Sequence, residues 1–218
     1  MEPENKNLLI EGSKAFDLSL DEEKVEAFDL YLKELLKWNE RINLTAIRSE
    51  KEIIVKHFLD SLSVYPYLPE SSALLDVGSG AGFPGIPLIM ADPSFRVTLI
   101  DSVQKKVAFQ KHIIRTLGLK EIEAIHGRIQ DKEILFKYRE YFDVVISRAF
   151  SDLQTFLSLS RPFLKKGGMA LAMKGRLTGE EVYLPSEEER TTYKRRGSHT
   201  FFLPFSQFKR SILVFEKQ

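Results

Sequence analysis

Glycines and carboxylates concentrate in one stretch of this chain, in an order suited to binding a nucleotide-like ligand. The segment Asp76-Val77-Gly78-Ser79-Gly80-Ala81-Gly82 closes a short apolar run that begins at Ala73. Glycines at the exit of a strand let the backbone turn sharply and let a ligand approach the main chain closely. Asp101 ends the next apolar run, where a carboxylate can accept both hydroxyls of an adenosine ribose. Asp76 precedes the first glycine, within reach of the loop amides or of a ligand amine. Asp76, Gly78, Gly80 and Asp101 are therefore the candidate ligand-binding residues. A ligand-free glycine-rich turn is the plain alternative, and the acid at the end of the second run weighs against it.

Two cofactor classes compete for this loop. Gly80-Ala81-Gly82-Phe83-Pro84-Gly85 fits the dinucleotide fingerprint, with Asp101 near the distance of a ribose-binding acid. Against a nucleotide-binding oxidoreductase, Asp76 suits a zwitterionic ligand better than a pyrophosphate. Pro84 and Gly85 also interrupt the helix start that would hold the pyrophosphate. No second catalytic domain is expected within the remaining residues. S-adenosylmethionine is the better match, which makes the chain a methyltransferase.

The acceptor side rests on Ser147-Arg148-Ala149-Phe150, at the end of a fourth strand, and Lys174-Gly175-Arg176, at the end of a fifth. In such sheets ligands bind outside the carboxyl ends of the strands. Arg148 and Lys174 are the catalytic candidates, Arg148 toward cofactor, phosphate or base edge and Lys174 toward phosphate. Phe150 is a stacking residue or a core residue. There is no cysteine, which excludes the cysteine-nucleophile route to carbon methylation of pyrimidines. An Asn/Asp-Pro-Pro-aromatic motif for amino-group methylation is also missing here. A ring nitrogen such as guanine N7 has its own lone pair and needs alignment rather than a base. Lys194-Arg195-Arg196 and Lys209-Arg210 are further phosphate candidates. His57, His112, His126 and His199 lack metal-ligand spacing, so no metal is expected, and they are taken as structural or surface residues.

The elements that must hold these residues follow from periodicity. Strands are expected at 73–77, 96–100, 122–125, 142–146 and 169–173, alternating with helices around 86–90, 104–117, 132–138 and 152–164. Two further strands at 198–203 and 211–216 are too closely joined to be anything but antiparallel. The predicted fold is a doubly wound, mostly parallel seven-stranded α/β sheet ending in an antiparallel hairpin, the Rossmann-like layout of class I S-adenosylmethionine methyltransferases. Helical patterns at 20–40 and 50–65, capped at Ser19 or Asp21, make residues 1–70 an N-terminal helical cap on a 71–218 methyltransferase domain. The polar stretch 39–47 between them has no regular period.

Composition excludes the other broad classes. Of 218 residues, 43% are hydrophobic and 29% charged, ordinary for a globular protein rather than a disordered or membrane one. The start of the chain lacks a signal-peptide pattern, and a cytoplasmic location is expected. Residues 1–60 hold 14 acids and 9 bases although the whole chain is +1, so the remainder is basic, as a nucleic-acid-facing surface would be.

The same residues resemble a family. Trp38-Asn39 with Arg41-Ile42-Asn43-Leu44-Thr45-Ala46-Ile47, His57-Phe58-Leu59-Asp60-Ser61-Leu62 and residues 76–88 are similar to the bacterial 16S ribosomal RNA guanine-N7 methyltransferases, also called glucose-inhibited division protein B. Asp101-Ser102, residues 147–150 and Lys174-Gly175 extend the match over about residues 30–175. The resemblance implies N7 methylation of one guanine in 16S ribosomal RNA, free or in a small-subunit assembly particle, by a monomer without membrane contact. It also implies cofactor contacts at Gly78, Phe83, Ile129, Gln130 and Arg148. Ile129-Gln130 departs from the acidic pair common in the family, and residues 176–218 diverge most. A protein or small-molecule acceptor is the alternative.

Overall fold

The computed structural model describes residues 1–148, 150, 152–175 and 192–218. Ala149, Arg176 and the acidic stretch 179–190 lie outside the described residues. Strands β1 (Ala73–Val77), β2 (Arg96–Asp101), β3 (Ile122–His126), β4 (Phe142–Ser147), β5 (Leu164–Lys174), β6 (Tyr193–Phe202) and β7 (Lys209–Lys217) form a single sheet in the order β3-β2-β1-β4-β5-β7-β6. The first five are parallel, and β7 is antiparallel to both neighbours. This is the doubly wound, mostly parallel architecture expected from the alternation. Strand order reverses between β1 and β4, which opens a crevice at their carboxyl ends.

Helices α1 (Pro3–Lys14), α2 (Glu22–Asn39), α3 (Glu50–Ile53) and α4 (Asp60–Leu62) precede the sheet, while α5 (Gly85–Ala91), α6 (Gln104–Thr116), α7 (Lys132–Lys137) and α8 (Leu153–Ser160) connect its strands. Asp21, not Ser19, caps α2, accepting the Lys24 amide at 2.9 Å. The apolar face of α2 (Val25, Phe28, Leu32, Leu35) continues into the sheet face carrying Leu74, Leu99, Val144 and Leu171. Residues 1–70 thus share one core with that face. Among the described residues no helix is long and apolar enough to cross a membrane.

Several boundaries differ from the sequence expectation, each for a local reason. The helical pattern at 50–65 is broken by a π-helical turn, Ile54–Leu59, between α3 and α4. α8 stops at Ser160 rather than 164, because Pro162 has no amide to carry the helical hydrogen-bond ladder past Arg161. β5 begins at Leu164, five residues early, because Gly167 (φ 77) sits in an irregularity between two paired stretches instead of opening the strand. β6 begins at Tyr193, where Lys194, Arg195 and Arg196 would argue against a strand in a buried sheet. As the edge of this one it leaves Lys194 and Arg196 exposed, Arg196 paired with Glu216 of the neighbouring strand, while Arg195 is half-buried. The irregular stretch 39–47 is organised by Asn39, whose Oδ1 accepts the Leu44 and Thr45 amides while its Nδ2 donates to the Thr45 carbonyl.

Phe58, fully buried, packs on Phe28 and Tyr31 from α2 and on Phe83 from the glycine loop. Phe58→Ala should therefore cost about 3–5 kcal/mol of global stability. Denaturant unfolding with an unchanged slope checks this, and a cost below about 1 kcal/mol would show that the helices pack on the sheet without Phe58.

Candidate active site

The turn from β1 into α5 is held from outside itself. The Gly78 and Ser79 amides donate to the Ile100 carbonyl, the Gly80 amide to Asp101 Oδ2 at 2.8 Å, and the Gly85 amide to Asp76 Oδ2 at 2.8 Å. Gln110, fully buried on α6, donates through Nε2 to Ser79 Oγ and to the Gly80 carbonyl, both at 2.8 Å. The Tyr31 hydroxyl donates to the Ala81 carbonyl at 2.6 Å, tying α2 to the same loop. Gly82 is irreplaceable on two counts. Its φ is +101°, and a Cβ there would come within 2.4 Å of Ile86.

Of the two partners expected for Asp76, the structure shows the loop amide. Its carboxyl is completely buried, and Oδ1 has no hydrogen-bond partner. Burial pushes its pKa up to about 7, against the opposing pulls of the Gly85 amide and of Arg148. Asp76 shapes the loop from behind and does not line the cleft in front of it. Gly80 is also a support, positioning Asp101.

That cleft, about 260 Å³, lies over the carboxyl ends of β1, β2 and β3, between Gly78, Asp101, Ser102, Ile129, Gln130 and Phe150. Asp101 accepts the Gly80 amide on Oδ2 and the Val103 amide on Oδ1. Each carboxylate oxygen keeps a second lone pair for a ligand hydroxyl. Ile129 is a buried apolar wall, whereas Gln130 is exposed at the rim. Phe150 is half-buried against Phe156, so it serves both the core and the cleft.

A second cleft of about 270 Å³ opens over β4 and β5, between Lys56, His57, Asp60, Arg148, Lys174 and Arg210. Phe150 lines the first cleft and Arg148 the second, and Lys174 Nζ, in the second, donates to the Phe150 carbonyl at 2.8 Å. Lys174 is only 8% exposed. Arg148 is the hub. Its Nη1 donates to Asp60 Oδ2 at 3.1 Å and its Nη2 to His57 Nδ1 at 3.3 Å, and its guanidinium stands 5.3 Å from the centre of the Phe83 ring. Asp60 Oδ1 meanwhile accepts Arg210 Nε at 2.8 Å. A larger hollow of about 330 Å³ lies near Ile89 and Leu117, toward the amino edge of the sheet and away from this chemistry.

His57, expected to be structural or superficial, holds a structural place inside the second cleft. It stacks on Phe83 at 4.7 Å, and Nε2 sits 2.7 Å from Thr45 Oγ1. An arginine can only donate, so Nδ1 is the acceptor and Nε2 carries the proton toward Thr45. Burial, and then the charge of Arg148, push its pKa down to about 3. Sequence reasoning missed Asp60, Tyr31 and Gln110. The i, i+3 pairing of His57 with Asp60 on one helical face was the available signal. Tyr31 and Gln110 carry no motif, and among the described residues no cluster fit for a metal ion occurs.

A model of the family described as rRNA small subunit methyltransferase G matches residues 24–212. Two proteins named ribosomal RNA small subunit methyltransferase G are each 41% identical to the chain. That of Acetivibrio thermocellus aligns over 97% of this chain and 88% of its own, and that of Geobacter metallireducens over 98% and 97%. Among solved structures, an S-adenosylmethionine-dependent methyltransferase from Aquifex aeolicus superposes with a TM-score of 0.56 at 17% identity, covering 75% of this chain and 92% of its own. M. jannaschii TYW2 in complex with AdoMet gives 0.54 at 19% identity, covering 68% and 70%. At these identities the structures speak for the fold alone.

The depressed pKa of His57 makes stability pH-dependent. Between about pH 6.5 and about pH 3 the unfolded chain takes up a proton at this position and the folded chain does not, so acid removes stability. His57→Gln keeps an acceptor and a donor without titrating. The variant should lose less thermal stability than the parent between pH 7.5 and pH 5, and equal losses would show that His57 is protonated in the folded state.

Proposed function

The chain belongs to the rRNA small subunit methyltransferase G family, and on that premise we propose that it transfers the methyl group of S-adenosylmethionine to N7 of one guanine in 16S ribosomal RNA. The supporting observation is the pair of clefts linked by the Lys174–Phe150 hydrogen bond, one lined by Gly78 and Asp101 and the other by several cations. The first cleft fits the cofactor. Gly78 leaves the main chain open, Asp101 has spare lone pairs for two ribose hydroxyls, and Ile129 offers an apolar wall to a purine with Gln130 beside it. When bound, the sulfonium supplies an electrophilic methyl group.

The chain's own residues then have to align the acceptor and exclude alternatives. Lys56, Arg148, Lys174 and Arg210 line the second cleft with Asp60, and although Glu52 pairs with Lys56 the four cations still outnumber these two carboxylates, leaving a positive field that suits a phosphate backbone. Arg148, braced by Asp60, His57 and Phe83, presents a fixed guanidinium in the second cleft. With both ring nitrogens engaged and a pKa near 3, His57 is not a base at neutral pH. Guanine N7 carries a lone pair and no proton, so the transfer requires orientation and desolvation only. In A-form RNA this edge lies in a groove too narrow to enter, so the guanine must come from a loop or be drawn out of its stack. The substrate we envisage is 16S RNA or a small-subunit assembly particle, and the enzyme a cytoplasmic monomer in which residues 1–70 cap the 71–218 catalytic unit.

The direct test is transfer of labelled methyl from S-adenosylmethionine to 16S RNA, followed by chemical cleavage at N7-methylguanine. Label confined to one guanine N7 is expected, whereas label on an exocyclic amine or a ribose would overturn the acceptor assignment. Asp101→Ala should weaken S-adenosylmethionine binding about tenfold or more, since hydrogen bonds to a charged group contribute about 1.5–3 kcal/mol. Calorimetry on the folded variant checks this, and an unchanged Kd would take the ribose role from Asp101.

A further inference from the structure

The turn joining β6 to β7 presents aromatic rings beside the second cleft. Ser211 of β7 stands opposite Lys174 at the end of β5, so this turn projects beyond the carboxyl edge of the sheet. Phe205 is 59% exposed and Phe208 42% exposed there. Lys56 Nζ lies 4.3 Å from the centre of the Phe208 ring, and Lys56 also lines the second cleft, as does Arg210. Ring and cleft are therefore continuous. Phe202 is exposed as well, but it is one strand position from Phe201, which packs on Phe16. It therefore faces the other side of the ribbon.

The fold itself does not call for these rings. The turn is closed by the Leu203 amide to the Phe208 carbonyl, the Ser206 amide and hydroxyl to the Leu203 carbonyl, and the Phe208 amide to Ser206 Oγ. Phe205 has φ +58°, the left-handed region that glycine enters freely and a bulky side chain only at a cost. A large apolar side chain is thus held in an unfavourable backbone state and turned to solvent. Lys56 lies over the ring of Phe208, and Lys209 and Arg210 follow Phe208 in the chain; Lys56 is paired with Glu52 and Arg210 with Asp60, and Lys209 adds a further base beside the turn. Exposed aromatics interleaved with bases are the chemistry that stacks and holds single-stranded nucleic acid.

We propose that Phe205 and Phe208 form a stacking platform for unpaired nucleotides flanking the methylated guanine. The proposal rests on the RNA-methylation function above and adds to it a substrate-positioning site outside both clefts. The platform holds the displaced strand while the second cleft receives the target.

Two substitutions at Phe205 test it. Phe205→Gly relieves the backbone and removes the ring, so its thermal midpoint should equal or exceed that of the parent. Its KM for naked 16S RNA should rise about tenfold, the loss of roughly one stacked base. Its kcat and its Kd for S-adenosylmethionine should not change. Phe205→Trp should keep the parent KM, and its emission, after subtraction of the Trp38 signal of the parent, should be quenched by a single-stranded oligoadenylate. The platform is overturned by a parental KM in Phe205→Gly on naked RNA, even if methylation of assembled particles falls, since that would give the surface to a protein partner. It is equally overturned if Phe205→Trp shows no quenching. The quenching arm needs no methyl transfer, so it judges the platform even if 16S RNA proves not to be the acceptor.

Discussion

A buried turn of glycines can satisfy only part of its own backbone, and the site depends on what satisfies the rest of this one. Residues 78–85 leave β1 with amides pointing away from any ladder, and each needs an acceptor. The Ile100 carbonyl, Asp101 and Asp76 provide them for Gly78, Ser79, Gly80 and Gly85, the Ser79 carbonyl of the turn itself serves Gly82 and Phe83, and Gln110 donates back to the turn. The loop shape is thus dictated by β1, β2 and α6 together. Asp101 is placed by the same bonds, because holding the Gly80 and Val103 amides fixes its carboxylate at the mouth of the cofactor cleft. Asp76 performs its part at an energetic cost, fully buried with one oxygen unpartnered and its pKa raised to about 7.

The second cleft applies the same logic with charges. Arg148, just past the end of β4, and Arg210, on β7, meet on Asp60, which belongs to the N-terminal helices. Removing Asp60 would leave two partly buried guanidinium groups without their carboxylate, a severe loss for a nearly buried ion pair. The arrangement holds cations close together at the end of the sheet while spending only one carboxylate on them. It also makes the helices part of the site. Phe83 of the glycine loop stacks on His57, and Tyr31 reaches the Ala81 carbonyl, so movement of the helices would be felt at the cofactor loop.

Much of the architecture was legible in the sequence. The strand–helix alternation predicted a parallel sheet closed by an antiparallel hairpin because side-chain periodicity is set locally. The glycine loop, Asp101 and the position of Arg148 at a strand's end were legible for the same reason, each being defined by its immediate neighbours along the chain. Errors at element boundaries came where a local signal has two meanings. Gly167 can open a strand or kink one, and a basic run is a loop or an edge strand depending on what lies beside it.

The tertiary structure alone decided which candidates face a ligand and which support those that do. Asp76 and Asp101 are both acids beside the same loop, yet burial turns one inward while the other lines the cleft. His57 reads as an unremarkable helix residue until Arg148, about ninety positions away, donates to one nitrogen and Thr45 accepts from the other. Gln110 and Tyr31 bear on the loop from helices whose sequence pattern shows only an apolar face. Periodicity reports which side of an element is buried. Partner choice, burial of charge and the resulting pKa values depend on groups brought together by the folded chain, and their distances in space are unrelated to their spacing in sequence.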